Sequence, residues 1–287
     1  MSVELAPLPP RRVVLVVPAS NERMVAKALA ADCDEVMLDL EDAIAPAAKS
    51  DARAKAVAVL AGRRRTGPAI SVRINSRGTG WYTADLDALG PAGPDTVMIP
   101  KVDSPNDVVD AVGRLGDSTV GVQALIETAR GVQAVDDIAV AHHRLQALVP
   151  GYADLGAELG RTRALPPTTW LHVQDRLLIA SRAAGIQAVD GPFLGLHDDD
   201  DFRAATSWTR DLGFDGKWVI HPAQIAYARA AFTPSAADID YARRVIDLMT
   251  ATHDGAVALD GQMLDEAVVA AARRTLHRAL SPRQEST

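Results

Sequence analysis

Cysteine is nearly missing from this chain. Cys33 is alone among 287 residues, so neither an intramolecular disulfide nor a cysteine metal cluster can form. That usage suits a reducing cytoplasm. Aromatic residues are also scarce, at 4%, so the core has to be aliphatic, mainly Ala, Val, Leu and Ile. Positive charge is in deficit. Lys and Arg number 30 against 37 Asp and Glu, a net charge of −7. This argues against a general nucleic-acid or anionic-membrane binder, and leaves room for a local basic patch that holds a phosphorylated ligand. Long apolar runs are missing too. The stretch VVLVV near the start is far too short to span a bilayer, and MSVELAPLPPRR before it has no apolar signal segment. The expectation is a cytoplasmic protein with neither nucleic acid nor membrane as partner.

What is present is a rhythm. Short apolar runs recur: VVLVVP (13–18), EVMLDL (35–40), AISVRI (69–74), TVMIPK (96–101), GVQALIE (121–127), LQALVPG (145–151), GIQAVDG (185–191) and GKWVIH (216–221). Most suit strands covered on both faces, as in a parallel sheet. Between them lie stretches with helical spacing, such as SPNDVVDAVGRL, ARGVQAVDDIAVAHH and TWLHVQDRLLIASRAAG. Eight strands alternating with helices predict a closed (β/α)8 barrel over residues 1–232. An open doubly wound sheet is the alternative. It lacks support because no strand–GxGxxG–helix fingerprint occurs, and GTGW (78–81) has the wrong spacing.

Residues 233–287 read as a separate C-terminal extension. SAADIDYARRVIDLMTATH predicts a helix capped by Ser235, and MLDEAVVAAARRTLHRAL predicts a second amphipathic helix with late basic residues that suit its dipole. DGAVALDGQ between them reads as mobile, and SPRQEST as a disordered end. A lid or an oligomer contact is the expected role of these two helices.

In such a barrel, chemistry lies at the C-terminal ends of the strands. Those ends carry Asp39, Glu41 and Asp42, then Arg73 and Asn75, Lys101, Glu127, Asp154, Asp190 and His221. A carboxylate is costly to bury unless it is paired or bound to a metal. Glu127 and Asp154 could hold a hard divalent cation, and with no sulfur ligand or histidine pair Mg2+ or Mn2+ is favoured over Zn2+. Arg73 is a fixed donor for an oxyanion or a carboxylate. Plainer readings stay open. Asp39, Glu41 and Asp42 could simply pair with Arg73 and Lys101. Asp190 could be a turn residue. HDDDDF (197–202) reads as a solvated helix cap, His142 and His143 as exposed on a helix, and Cys33 as a small core residue.

The stretches VVPASNERMVAKAL, VMLDLEDAIAPAAKSDAR, VRINSRGTGW, VMIPKVDS, LIETARGV, PGYADLGAELG, GFDGKWVIHPAQI and DGQMLDEAVVAAA occur in that order over most of the chain. Together they resemble the HpcH/HpaI aldolase/citrate lyase family, in its citrate lyase beta-subunit-like branch with malyl-CoA and citramalyl-CoA lyases. The resemblance implies a (β/α)8 barrel that works as a trimer or a dimer of trimers. It implies Mg2+ on Glu127 and Asp154, and Arg73 on the keto-acid and thioester oxygens of the substrate. Asp39, Glu41 and Asp42 would order Arg73 and metal-bound waters. Arg23, Lys27, Ile220 and His221 would bind the CoA-linked substrate, and Asp265 would enter the active site of a neighbouring subunit. The sequence departs from the family pattern at Ala19-Ser20-Asn21, at Pro150-Gly151-Tyr152, at Glu158 and at Glu266.

The implied activity is reversible carbon–carbon cleavage of a 3-hydroxyacyl-CoA thioester such as malyl-CoA or citramalyl-CoA. The rivals are a thioesterase acting on the same esters, a citrate lyase beta subunit acting on an acyl-carrier thioester, and a non-catalytic binding scaffold.

Overall fold

The computed structural model describes residues 8–63, 67–162, 165–251 and 257–279. Eight parallel strands close into a barrel in sequence order. They are β1 (Val13–Pro18), β2 (Glu35–Asp39), β3 (Ala69–Arg73), β4 (Thr96–Ile99), β5 (Gly121–Ile126), β6 (Leu145–Pro150), β7 (Gln187–Asp190) and β8 (Gly216–Val219). The ring closes where Val13 to Leu15 of β1 pair with Lys217 to Val219 of β8. Every expected strand forms.

The helices outside are α1 (Glu22–Leu29), α2 (Lys49–Ala61), α3 (Tyr82–Ala92), α4 (Pro105–Leu115), α5 (Ala129–Gln133), α6 (Val135–Ala139), α7 (Tyr152–Glu158), α8 (Leu171–Ala184), α9 (Asp200–Leu212) and α10 (Ile225–Phe232). Local chemistry sets several starts. Ser104 and Asp107 form a capping box at α4, and Asp199 accepts the Phe202 amide at α9, so HDDDDF is the expected cap.

The aliphatic core lies mostly between strands and helices, with Cys33 buried in it. Burial pushes the Cys33 thiol up to about 12, so it is an inert packing residue.

Inside the barrel, alternate strand residues form three tiers. The base is polar. Arg11 donates to Glu35 at 2.7 Å and to Gln187 at 2.5 Å, and Gln123 donates to Glu35 and Thr96, each at 2.7 Å. The middle is apolar, built from Val14, Met37, Met98, Leu125, Ala147, Val149, Val189 and Trp218. The top is charged. Along β2 the tiers read Glu35, Met37, Asp39. Along β5 and its end they read Gln123, Leu125, Glu127.

Some expectations need correction. ARGVQAVDDIAVAHH forms two short helices, because the chain turns at Ala134 to send Val135 and Ile138 into the core. His142 and His143 lie in the turn after α6, not on a helix, with ring centroids 4.2 Å apart. The segment DGAVALDGQ contributes to a hairpin of β9 (Val257–Leu259) and β10 (Gln262–Leu264). Asp260 and Gly261 both have positive φ there, the geometry of a two-residue Asp-Gly turn.

The hairpin joins α11 (Ala236–Ala251) to α12 (Glu266–Ala279). Ser235 and Asp238 cap α11 reciprocally, as expected. Near the end of α12, Arg278 donates to Gly213 O and to Asp215, each at 3.0 Å, and His277 bonds Leu8 O. These partners precede β8 and β1, so the tail is fastened to the barrel at its N-terminal base. The terminal SPRQEST lies outside the described residues.

Candidate active site

The opening acids of the mouth come from the end of β2. Asp39 is its last residue and faces inward. Its two oxygens accept Arg73 Nε and Nη2, each at 2.7 Å, in a bidentate pair. The Glu41 and Ala43 amides donate to the same carboxylate at 2.8 and 3.1 Å. Burial alone would raise the Asp39 pKa, but these donors and the Arg73 charge outweigh it and hold the carboxyl below its usual range. The third arm of Arg73, Nη1, lies 3.2 Å from Glu41 and 3.5 Å from Asp42. Lys49 fixes the turn beneath by donating to the carbonyls of Leu40 and Glu41.

Glu41 is less content. Its Oε2 is buried, and Arg73 is near it but not aligned for a hydrogen bond. Burial, with Asp42 and Asp39 adding repulsion against Arg73 and Lys101, pushes this carboxyl up to about 7.

Glu127 follows β5 and is 2% exposed. Its Oε1 accepts the Lys101 amide at 2.9 Å. Burial first, then the negative charges of Glu41 and Asp154, push its pKa up to about 8. Gly151, after β6, lies directly against it. A Cβ on Gly151 would sit 2.4 Å from Glu127 Cβ and 2.5 Å from Oε2. Only glycine lets the chain pass so close before turning into α7. Asp154 projects from the first turn of α7, partly exposed, with Lys101 Nζ at 3.5 Å from Oδ1. Glu158 at the end of α7 accepts the Ala129 amide at 3.0 Å and ties α7 to the start of α5.

The remaining expected residues are spread out. Arg23 and Lys27 are exposed one turn apart on α1, and Ile220 and His221 follow β8, which pairs with β1. These four therefore share one sector of the rim. His221 Nδ1 accepts the Ala223 amide as a local cap. Asp265 caps α12 by accepting the Val268 amide at 3.0 Å, and among the described residues it makes no hydrogen bond or ion pair with the mouth. Asn75 is taken up by Asp85, itself paired with Arg53. Asp190 is not a turn residue. It ends β7 and bonds Lys217 at 2.5 Å, Tyr152 at 2.6 Å and Thr209 at 3.1 Å on the helix side of the wall.

Sequence reasoning passed over Gly151 as a site residue. A Pro-Gly pair between a strand and an acid was the available signal. The sequence reads Lys101 as a polar strand end and a partner for Asp39, Glu41 and Asp42; in the structure its ammonium pairs with Asp154.

The mouth can be tested for a hard cation. Among the described residues no cluster of three or more His, Cys, Asp or Glu is gathered as a closed cage. The candidate donors are the two carboxylates of Glu127 and Asp154, which oppose one another electrostatically. Two hard oxygen donors short of cationic compensation fit an ion that keeps much of its water, as Mg2+ does.

A closed eight-stranded barrel with charged residues gathered at the C-terminal ends of its strands is the scaffold of an enzyme. The chain belongs to the HpcH/HpaI aldolase/citrate lyase family, which it matches over residues 12–222. It is 37% identical over 274 aligned positions to a (3S)-malyl-CoA thioesterase of Cereibacter sphaeroides, covering 94% of this chain and 95% of that one. It is 35% identical over 303 positions to an L-malyl-CoA/beta-methylmalyl-CoA lyase of the same organism, with the same coverage. Among solved structures it is similar to the protein CitE of Mycobacterium tuberculosis in complex with magnesium, acetoacetate and coenzyme A. That match has a TM-score of 0.75 at 34% identity and covers 94% of this chain and 98% of the other.

Proposed function

We propose that this protein is an Mg2+-dependent lyase that cleaves, or in reverse forms, a 3-hydroxyacyl-CoA thioester such as malyl-CoA or citramalyl-CoA. The observation that carries the reading is the top tier of the barrel. There an arginine that donates two hydrogen bonds to Asp39, and is oriented by them, stands beside a buried, electrostatically stressed Glu127 and the nearby Asp154.

Glu127 and Asp154 would hold the cation. When bound, it supplies Lewis acidity and a fixed docking point for the oxygens of the keto-acid half. A base takes the proton of the 3-hydroxyl, the carbon–carbon bond breaks, and its electrons pass into the thioester as an enolate. Arg73 faces that developing oxyanion, and one such donor is worth about 10²–10³ in rate. Asp39, Glu41 and Asp42 fix the Arg73 plane and order nearby water. Arg23, Lys27, Ile220 and His221 line the rim sector for the CoA end. Asp265 comes from a neighbouring copy in a trimer-based assembly and protonates the released carbanion. The fastening of α12 at the barrel base favours such an exchange over a lid that closes on its own mouth.

A second reading has a specific observation behind it. Alignment with the lyase runs to 303 positions, longer than this 287-residue chain, so the lyase carries segments with no counterpart here. Alignment with the thioesterase needs only 274. Hydrolysis would add water at the thioester carbonyl and expel the CoA thiol.

Malyl-CoA and citramalyl-CoA incubated with Mg2+ separate these readings. A 2-oxo acid, glyoxylate or pyruvate, released with an acyl-CoA supports the lyase. Free thiol without 2-oxo acid supports the thioesterase. Full turnover in EDTA overturns the metal role.

A further inference from the structure

Lys101 has three features that no other residue of the mouth combines. It follows β4 with φ 52°, a left-handed conformation that is uncommon for a side-chain-bearing residue and clusters at functional sites. Its backbone amide is bound to Glu127 Oε1 at 2.9 Å. Its ammonium lies 3.5 Å from Asp154 Oδ1. One residue thus touches both candidate metal ligands, with its amide on one and its side chain on the other.

The charges around it are lopsided. Among the described residues, Asp39, Glu41 and Asp42 pair with Arg73 and Asp154 pairs with Lys101, while Glu127 has no ion-pair partner. Arg73 is committed to Asp39 through two hydrogen bonds. Burial disfavours the Lys101 ammonium, but attraction to Asp154, then Glu41, Glu127 and Asp42, holds its pKa above the usual value. The side chain is 39% exposed and its partner Asp154 is 42% exposed. A lysine of that exposure, on a four-carbon stem, is free to swing.

We propose that the Lys101 ammonium is a placeholder cation. Without the divalent ion it offsets the charge of Asp154, 3.5 Å away, beside the Glu127 that its own amide holds. Metal entry displaces it, and the freed ammonium then holds the anionic end of the substrate. This rests on the metal site proposed above. The backbone and the side chain have separate tasks: the amide positions Glu127, while the ammonium competes with the metal.

The separation makes the idea testable without turnover. Lys101→Met and Lys101→Gly remove the ammonium and keep the amide, and glycine also accepts the left-handed backbone without strain. Mg2+ is titrated calorimetrically into the metal-free full-length protein and each variant. Both neutral variants are expected to bind Mg2+ about fivefold more tightly, the upper scale of one partly exposed ion pair. Lys101→Arg keeps the charge and is expected to stay within about twofold of the parent. With substrate, the neutral variants are expected to show a raised KM and a smaller change in kcat. Unchanged or weakened Mg2+ affinity in both neutral variants overturns the placeholder while leaving the metal site standing. No Mg2+ binding in the parent or any variant overturns the metal site and the placeholder together.

Discussion

At Arg73 the guanidinium plane is set by Asp39 through two 2.7 Å hydrogen bonds before any substrate arrives. Such a fork cannot be reproduced by an ammonium. Arg73→Lys is therefore expected to lower kcat by about 10²–10³. Calorimetry of the same variant is expected to show Mg2+ affinity close to that of the parent, and an unchanged kcat would remove Arg73 from the chemistry. Glu41 makes a different statement. Its folded pKa, about 7, lies above the ordinary value of 4.5. The folded state therefore holds the proton more tightly than the unfolded one. That contribution is fully present below about pH 4.5 and is lost as pH rises toward about 7. In EDTA, the urea midpoint of the parent is expected to fall over that window relative to Glu41→Gln, and to run parallel above it. Parallel midpoints throughout would show that the buried Oε2 carries no such penalty.

Among the elements, the junction from β5 through Gly151 to α7 sets where the two proposed metal ligands stand. Glu127 and Asp154 stand 26 residues apart in the chain beyond their own positions, and the adjacency of β5 and β6 brings their strand ends side by side. Gly151→Ala would drive a methyl into Glu127. The expected result is a loss of Mg2+ affinity of about tenfold or more, roughly 1.4 kcal/mol, read by titration. Retained affinity would mean that Glu127 is not a ligand in that position. The strands were legible because each is a short apolar run between polar segments. Helix α7 was not, because YADLGAE is only seven residues long and too short to display a helical period. The break between α5 and α6 was equally hidden, since burial of Val135 and Ile138 sets it rather than any local stop signal. The β9–β10 hairpin did leave a signal, the Asp-Gly pair between VAL and QML, which outweighs the impression of a mobile link.

Across the whole molecule, a buried polar network and the candidate active site lie at opposite ends of one barrel. The base holds Arg11, Glu35, Gln123 and Gln187 in a buried network, and an apolar tier of methionines, valines and leucine separates it from the mouth. Glu35→Ala leaves the Arg11 charge buried without its acid. It is expected to cost about 3–5 kcal/mol in urea denaturation. The kcat of the folded fraction is expected to hold, and a fall in kcat without loss of stability would contradict the division.

The sequence alone determined the eight strands, their order and the identity of the polar strand ends, because apolar runs and turn chemistry are local. It also carried the family motifs. Only the tertiary structure decided which acids meet. Closing the ring turned Asp39 and Glu127 inward beside Arg73, and turned Asp190 outward onto Lys217 and Tyr152. It also placed Lys101 on both Glu127 and Asp154. A strand-end carboxylate looks the same in a sequence whichever way it faces. Its direction depends on strand register and on neighbours far along the chain, and that direction sets whether burial stresses the acid or an ion pair satisfies it.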